Sequence, residues 1–188
     1  MIKDPEAVWK CNKCPFESSA ENVNRLLKTL QSEIDSANSV ESMENLLEKY
    51  KSILHSNHYI MISIKNALID SYGHVSGHLL SELPDALLRR KVELCEEVLG
   101  ILNVFEGGKS RARGLMLYEM HAPLVLHAKS RYEAGELTKD EYLRQLENAH
   151  AVLNECLEII SWEDENFFKT LKMAKCSMKF LNNLIESF

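Results

Sequence analysis

The sequence has few residues that interrupt helices and no long apolar run. It contains seven glycines and four prolines among 188 residues, which leaves few places for the turns of a large sheet. No apolar stretch approaches the roughly 18 residues of a membrane span, and the opening residues MIKDPEAVWK lack the apolar centre of a signal peptide. We therefore expect an intracellular protein, cytoplasmic or nuclear, without a membrane partner.

The sequence also lacks an excess of positive charge and a disulfide framework. Its formal net charge is −6, so nucleic acid is not an expected direct partner. Only Cys11 and Cys14 form a close pair. Cys95, Cys156 and Cys176 stand singly among apolar residues at helical spacing and are predicted to be core residues rather than nucleophiles.

From residue 18 onward, apolar residues recur at three- and four-residue intervals, which predicts about seven helices. Caps and breakers place the starts of six helices near Ser18, Ser39, Asn57, Asp85, Ser110 and Thr138. A final helix carries Phe168, Leu171 and Ala174 on its apolar stripe. Gly73 should end the third helix, and Pro123 should bend or divide the fifth. Short connections favour antiparallel hairpins. The prediction is an all-α fold with a TPR-like helical stack over residues 18–188, preceded by an irregular segment at residues 1–17.

The CxxC pair of Cys11 and Cys14 is the most specific local motif. Two cysteines at this spacing can present two thiolates to one tetrahedral zinc ion. A complete site needs further ligands, and no second CxxC occurs in the sequence. We expect half of a zinc site, completed by residues upstream or from another chain.

Other polar groupings are weaker signals. Lys109, Arg111 and Arg113 gather positive charge at a helix amino terminus, where solvent or an acidic partner must offset the unfavourable dipole. His74 and His78 have metal-ligand spacing, but Gly77 lies between them and no HExxH carboxylate accompanies them. The sequence contains no convergent acid, base and nucleophile, which argues against an independent helical enzyme.

Four segments together carry a resemblance to a known family. They are WKCNKCPF, LHSNHYIMISIKNALIDSYGH, LSELPDALLRRKVELCEEVLGIL and RGLMLYEMHAPLVLHAKSRYEAG. As an ensemble they resemble the SET and MYND domain protein-lysine methyltransferases, and most closely their insect-like branch. In that family a cysteine-rich post-SET segment binds zinc and precedes a TPR-like helical domain. The resemblance implies that residues 1–17 are the remnant of the post-SET segment and that Cys11 and Cys14 are zinc ligands.

The resemblance also implies a function. The full-length parent would use S-adenosylmethionine to methylate protein lysines, whereas this chain has no counterpart of the SET cofactor motifs and should not be catalytic alone. It would bind a protein or peptide, such as a histone, another lysine-containing substrate or a chaperone tail. Apart from the resemblance, polar and aromatic residues at the predicted helix ends place the expected binding face near Tyr72, His74, Tyr118 and His121. The alternative is a non-catalytic adaptor that binds the tail of a partner protein.

Overall fold

The computed structural model describes residue 4 and residues 6–162 and 168–188, and helix dominates these residues. About 72% of the chain is helical, which confirms the all-α prediction. The described residues form two strands and seven helices: β1 (Val8–Lys10), β2 (Glu17–Ser19), α1 (Ala20–Ser36), α2 (Val40–Tyr50), α3 (Tyr59–His74), α4 (Asp85–Phe105), α5 (Arg111–Glu133), α6 (Lys139–Ile160) and α7 (Phe168–Glu186). None of these helices combines the length and apolar character needed to cross a bilayer.

Three helices begin at the capping residues that the sequence predicts. Ser39 accepts a hydrogen bond from the Ser42 amide and Ser110 accepts one from Arg113. Thr138 accepts one from the Glu141 amide, and the Glu141 carboxylate in turn accepts one from the Thr138 amide. Each side chain satisfies an amide that has no partner within its helix. The predicted starts of α2, α5 and α6 are therefore confirmed.

The first helix begins differently from the prediction. Ser18 lies in β2, where it pairs with Trp9 of β1 in an antiparallel hairpin. The cap of α1 is Ser19, whose hydroxyl accepts a hydrogen bond from the Asn22 amide. The predicted cap at Ser18 is therefore wrong, because strand pairing extends into the residues where the helical pattern begins.

The sequence predicts a bend or break of α5 at Pro123 and an end of α3 at Gly73. α5 is one helix across Pro123 rather than two pieces. Pro123 is buried in a helix that packs against both α4 and α6, and this packing offsets the backbone hydrogen bond that proline removes. In α3 the helical backbone conformation stops at Tyr72 and Gly73, as the sequence predicts.

The chain divides into two compact units, Met1–Ile64 and Lys65–Phe188. The first unit contains the hairpin, α1 and α2. Within it, Glu33 of α1 accepts hydrogen bonds from Lys49 Nζ at 2.8 Å and Tyr50 Oη at 2.9 Å. The hydrogen bond from Lys49, and then that from Tyr50, lowers the pKa of Glu33. These contacts join α1 to the end of α2.

In the second unit, consecutive helices from α4 to α7 pack against each other. His127, late in α5, places Nδ1 2.6 Å from Oδ1 of Asp85 at the start of α4. Gly114, early in α5, lies against Ile159 and Ile160 at the end of α6. These opposite-end contacts show antiparallel packing of α4, α5 and α6.

The three single cysteines do not share one environment. Cys95 and Cys156 are fully buried, and burial raises the pKa of each thiol to about 12. Their prediction as core residues is confirmed. Cys176 is exposed on α7, so its prediction as a core residue is wrong. The periodicity identifies a helix but does not show which side of the helix has a neighbour to cover it.

Candidate functional site

The hairpin presents both residues of the CxxC motif to solvent. Cys11 and Cys14 lie in the turn between β1 and β2, and both are exposed. The Cys11 amide donates to the Phe16 carbonyl at 2.9 Å, which closes the turn. An ion pair of 2.7 Å between Lys10 and Glu17 joins the strands just beyond it. The fold thus holds the two cysteines on one short, closed turn.

The turn also favours the thiolate form of Cys11. The Lys13 amide lies 3.4 Å from Cys11 Sγ and donates a hydrogen bond to it. This hydrogen bond, followed by that of the Cys14 thiol, lowers the pKa of Cys11. Because metals bind the thiolate and not the thiol, a lowered pKa suits metal ligation.

The donors in this turn fit one edge of a zinc site. Zinc in structural sites takes four ligands, and two thiolates supply half of them. In the part of the chain that the structure describes, no group of three or more His, Cys, Asp or Glu side chains is arranged to hold a metal. Cys11 and Cys14 would therefore need two ligands from elsewhere.

A second polar cluster surrounds a buried lysine between α3, α4 and α5. The side chain of Lys91 on α4 is only 2% exposed. Its Nζ donates to the Tyr72 carbonyl at 2.5 Å and to Glu119 Oε2 at 2.7 Å. These two bonds compensate part of the cost of removing an ammonium group from water.

Gly73 makes room for this lysine at the end of α3. Its φ of +112° is one that other residues rarely adopt, and a Cβ at this position would lie 3.3 Å from Lys91 Nζ. The Gly73 amide donates to the His78 carbonyl at 2.7 Å. The left-handed glycine turns the chain away, and the lysine then satisfies a carbonyl at the helix end.

The structure brings the four predicted binding residues to this lysine cluster. His74 Nε2 lies 3.6 Å from Glu119 Oε2. The rings of Tyr118 and His121 lie 5.0 Å apart, and His121 Nδ1 contacts the Tyr118 carbonyl. Tyr72 supplies the carbonyl that Lys91 binds. The prediction that this face binds a partner stays a prediction.

Exposure separates the buried side chains of this face from those that a partner could reach, and Tyr118 is half-buried between them. Tyr72 is 1% exposed and His121 is 6% exposed, so these side chains support the surface from below. The His74 side chain is 58% exposed and that of Glu119 is 24% exposed. A partner would therefore meet His74 and Glu119 first.

Hydrogen bonds hold the lysine cluster together, and the Cys95 thiol beneath it is unreactive. Burial lowers the pKa of His121, although its contact with the Tyr118 carbonyl opposes that effect. Lys91 and Glu119 both influence the titration of Cys95, but burial keeps that thiol protonated, and a protonated thiol is a poor nucleophile. The cluster can position a polar group of a partner at its Glu119 side.

The predicted basic patch has acidic neighbours within the chain. Arg113 lies 2.6 Å from Glu155 and Lys109 lies 3.4 Å from Glu158, both on α6. Arg113 also donates to Asn103. Arg111 is exposed on the first turn of α5. The ion pairs with α6 offset the unfavourable charge at the start of α5, while partner binding by Lys109, Arg111 and Arg113 stays a prediction.

Sequence reasoning missed Lys91, although a signal was present. Lys91 follows Leu88 by three residues and precedes Cys95 by four, so it lies on the buried side of α4. A lysine on an apolar stripe needs a partner in the core. The sequence did not show that Glu119 would be that partner.

Comparison with known proteins gives no further assignment, because no protein-family model, curated protein or solved structure matches the chain. The class that the structure defines is an all-α protein with an amino-terminal CxxC hairpin. Membership of the SET and MYND family stays a prediction from the residues.

Proposed function

We propose that the chain is the carboxy-terminal helical interaction and substrate-shaping module of a SET and MYND domain protein. The supporting observation is a CxxC hairpin that leads directly into α1, with both thiols exposed and the pKa of the Cys11 thiol lowered by the Lys13 amide. This is the order that the resemblance implies, a zinc-binding segment followed by helices. In this proposal the chain alone does not catalyse methyl transfer. The full-length parent would transfer a methyl group from S-adenosylmethionine to protein lysines.

In this proposal Cys11 and Cys14 hold one edge of a zinc site, and a longer protein supplies the other two ligands. Zinc would fix the hairpin relative to the part of the protein that completes the site. The residues of this chain contribute two thiolates and the Lys13 amide that stabilises the thiolate of Cys11.

The proposed partner surface is the Glu119 and His74 side of the lysine cluster. Glu119 already binds Lys91 and keeps part of its side chain exposed. A half-buried carboxylate at the edge of a rigid helical pair can accept a hydrogen bond from a peptide amide or a lysine. A protein or peptide with a lysine fits this surface best.

A longer protein that includes the residues upstream of Met1 tests the zinc assignment. We expect Cys11→Ser to lose bound zinc, measured by atomic absorption, whereas the matched variant Cys176→Ser at another exposed cysteine should keep it. Tight binding of one zinc ion per molecule by the 188-residue chain in isolation would contradict the half-site.

A methyl-transfer assay distinguishes a methyltransferase parent from the alternative, a non-catalytic adaptor. We expect the longer protein to transfer the radiolabelled methyl group of S-adenosylmethionine to a histone or another lysine-containing protein. Partner binding without methyl transfer would favour the adaptor instead. Methyl transfer catalysed by the isolated chain would contradict both.

A further inference from the structure

An exposed apolar strip lies on α7 beside a cavity that α5 and α7 share. The cavity has a volume of about 390 Å³. It is lined by His121, Ala122, Val125, Leu126, Cys176, Ser177, Phe180 and Leu181. At its α7 edge, Phe180 is 64% exposed, and Met173, two turns earlier, is 49% exposed. Apolar side chains around a concave site mark a place where another apolar group can dock.

A second cavity shares Cys176 with the first, and Lys172, Lys175 and Lys179 line it. α7 carries Lys169, Lys172, Lys175 and Lys179, and its sequence contains no Asp or Glu before Glu186. Among the described residues, no carboxylate forms an ion pair with Lys172, Lys175 or Lys179. This concentration contrasts with the net charge of −6 for the whole chain.

The position of these lysines is itself unfavourable for the helix. Lys169 and Lys172 lie in the first two turns of α7, where the helix dipole disfavours positive charge. Glu163, Asp164 and Glu165 precede this end of the helix in the sequence, whereas Lys175 and Lys179 lie beyond its first two turns. The charge argument and the cavity point to the same edge of α7.

We propose that the cavity between α5 and α7, together with the exposed Phe180 at its edge, forms a groove that binds an acidic amphipathic helix of a partner protein. Apolar side chains of that helix would fill the cavity beside Phe180, and acidic side chains on its flank would meet Lys172 and Lys179. The cavity is concave, whereas a membrane surface would need its apolar contacts on a convex crest. The proposal rests on the proposed role as an interaction module and specifies one class of partner.

Fluorescence anisotropy with the full chain tests the groove. The probe is a labelled peptide of about 16 residues, roughly four helical turns, with leucines on one face and glutamates on the other. We expect saturable binding that weakens as salt increases. A scrambled peptide of the same composition, which has no continuous apolar face, should not bind.

Matched variants separate the two parts of the groove. We expect Phe180→Ser to weaken peptide binding about tenfold, whereas Phe105→Ser on α4 should leave it unchanged, because Phe105 is similarly exposed and lies away from the cavity lining. The double variant Lys172→Glu and Lys179→Glu should weaken binding and reduce its salt dependence. The charge-matched control is the double variant Lys28→Glu and Lys51→Glu. Lys28 is exposed on α1, and Lys51 is exposed just after α2.

Several results would overturn the proposal. These are equal binding of the ordered and scrambled peptides, full binding by Phe180→Ser, and binding to phosphatidylserine vesicles with no binding to the peptide. Self-association of the chain that Phe180→Ser abolishes would assign the groove to a second copy and would also overturn it. Failure here would leave the zinc and methyl-transfer tests unaffected, because they use the hairpin and the longer protein.

Discussion

Lys91 is a single residue that joins three helices of the second unit. Replacing it with Met keeps a long side chain but leaves the Tyr72 carbonyl and Glu119 without their ammonium partner. We expect Lys91→Met to lower the free energy of unfolding by about 2 kcal/mol, since a buried polar group loses its hydrogen bond. Urea unfolding measures the change. Lys51→Met, at an exposed lysine, is the control, and equal stability of the two variants would contradict this role.

His121 should make the stability of the second unit depend on pH. Burial lowers its folded-state pKa below the ordinary value of 6.5, so the unfolded chain takes up a proton first as the pH falls. The stability from neutral His121 is complete above about pH 6.5 and decreases below it. In urea unfolding at pH 7.5 and 5.5, His121→Gln should lose less stability than the wild type on acidification. Equal losses would show that His121 is not responsible.

At the scale of single residues, the sequence predicts which residues lie in helices better than it predicts how deeply each side chain is buried. Cys95 and Cys176 both occur among apolar residues at helical spacing, yet Cys95 is fully buried and Cys176 is exposed. Tyr72, His74, Tyr118 and His121 were grouped as polar and aromatic residues at helix ends. The sequence could not show that Lys91 joins them, because that contact spans 28 positions, from Lys91 to Glu119.

At the scale of elements, Gly114 sets the distance between α5 and α6. A Cβ at this position would lie 2.9 Å from Cγ2 of Ile159 and from Cγ2 of Ile160. Alanine is intrinsically favoured over glycine in a helix by about 1 kcal/mol, but the clash should cost about 2 kcal/mol. We therefore expect Gly114→Ala to lower the melting temperature.

Gly100 in α4 provides the matched comparison for Gly114. A Cβ there would meet nothing within 4 Å, so only the helix preference remains. Gly100→Ala should therefore raise the melting temperature, because alanine restricts the unfolded chain more than glycine does. A melting temperature raised by both substitutions would contradict close packing at Gly114.

Helix boundaries were predictable where the local sequence determines them. Ser39 and Thr138 cap helices because their hydroxyls reach an amide three residues later, and such contacts need no distant partner. Ser18 has the same chemistry but pairs with Trp9 in the hairpin. A contact with residues earlier in the chain decided that boundary, and helical periodicity contains no information about it.

For the whole molecule, the sequence predicted one helical stack over residues 18–188, whereas the chain divides into compact units at Ile64 and Lys65. That division falls inside α3. A boundary within a continuous helix has no glycine, proline or polar linker to reveal it. The predicted division after residue 17 stays untested as a functional boundary.

The two units should open separately, and matched cap removals can show it. Ser39→Ala removes the cap of α2 in the first unit and Thr138→Ala removes that of α6 in the second, each at a cost of about 1 kcal/mol. Local opening requires only the contacts of one cooperative unit to break. In amide hydrogen exchange, Ser39→Ala should therefore accelerate exchange in α1 and α2, and Thr138→Ala should accelerate it from α4 to α7. Faster exchange throughout the chain in either variant would instead show that both units open as one. Removing a cap in one unit can change exchange in the other unit only if the two unfold together.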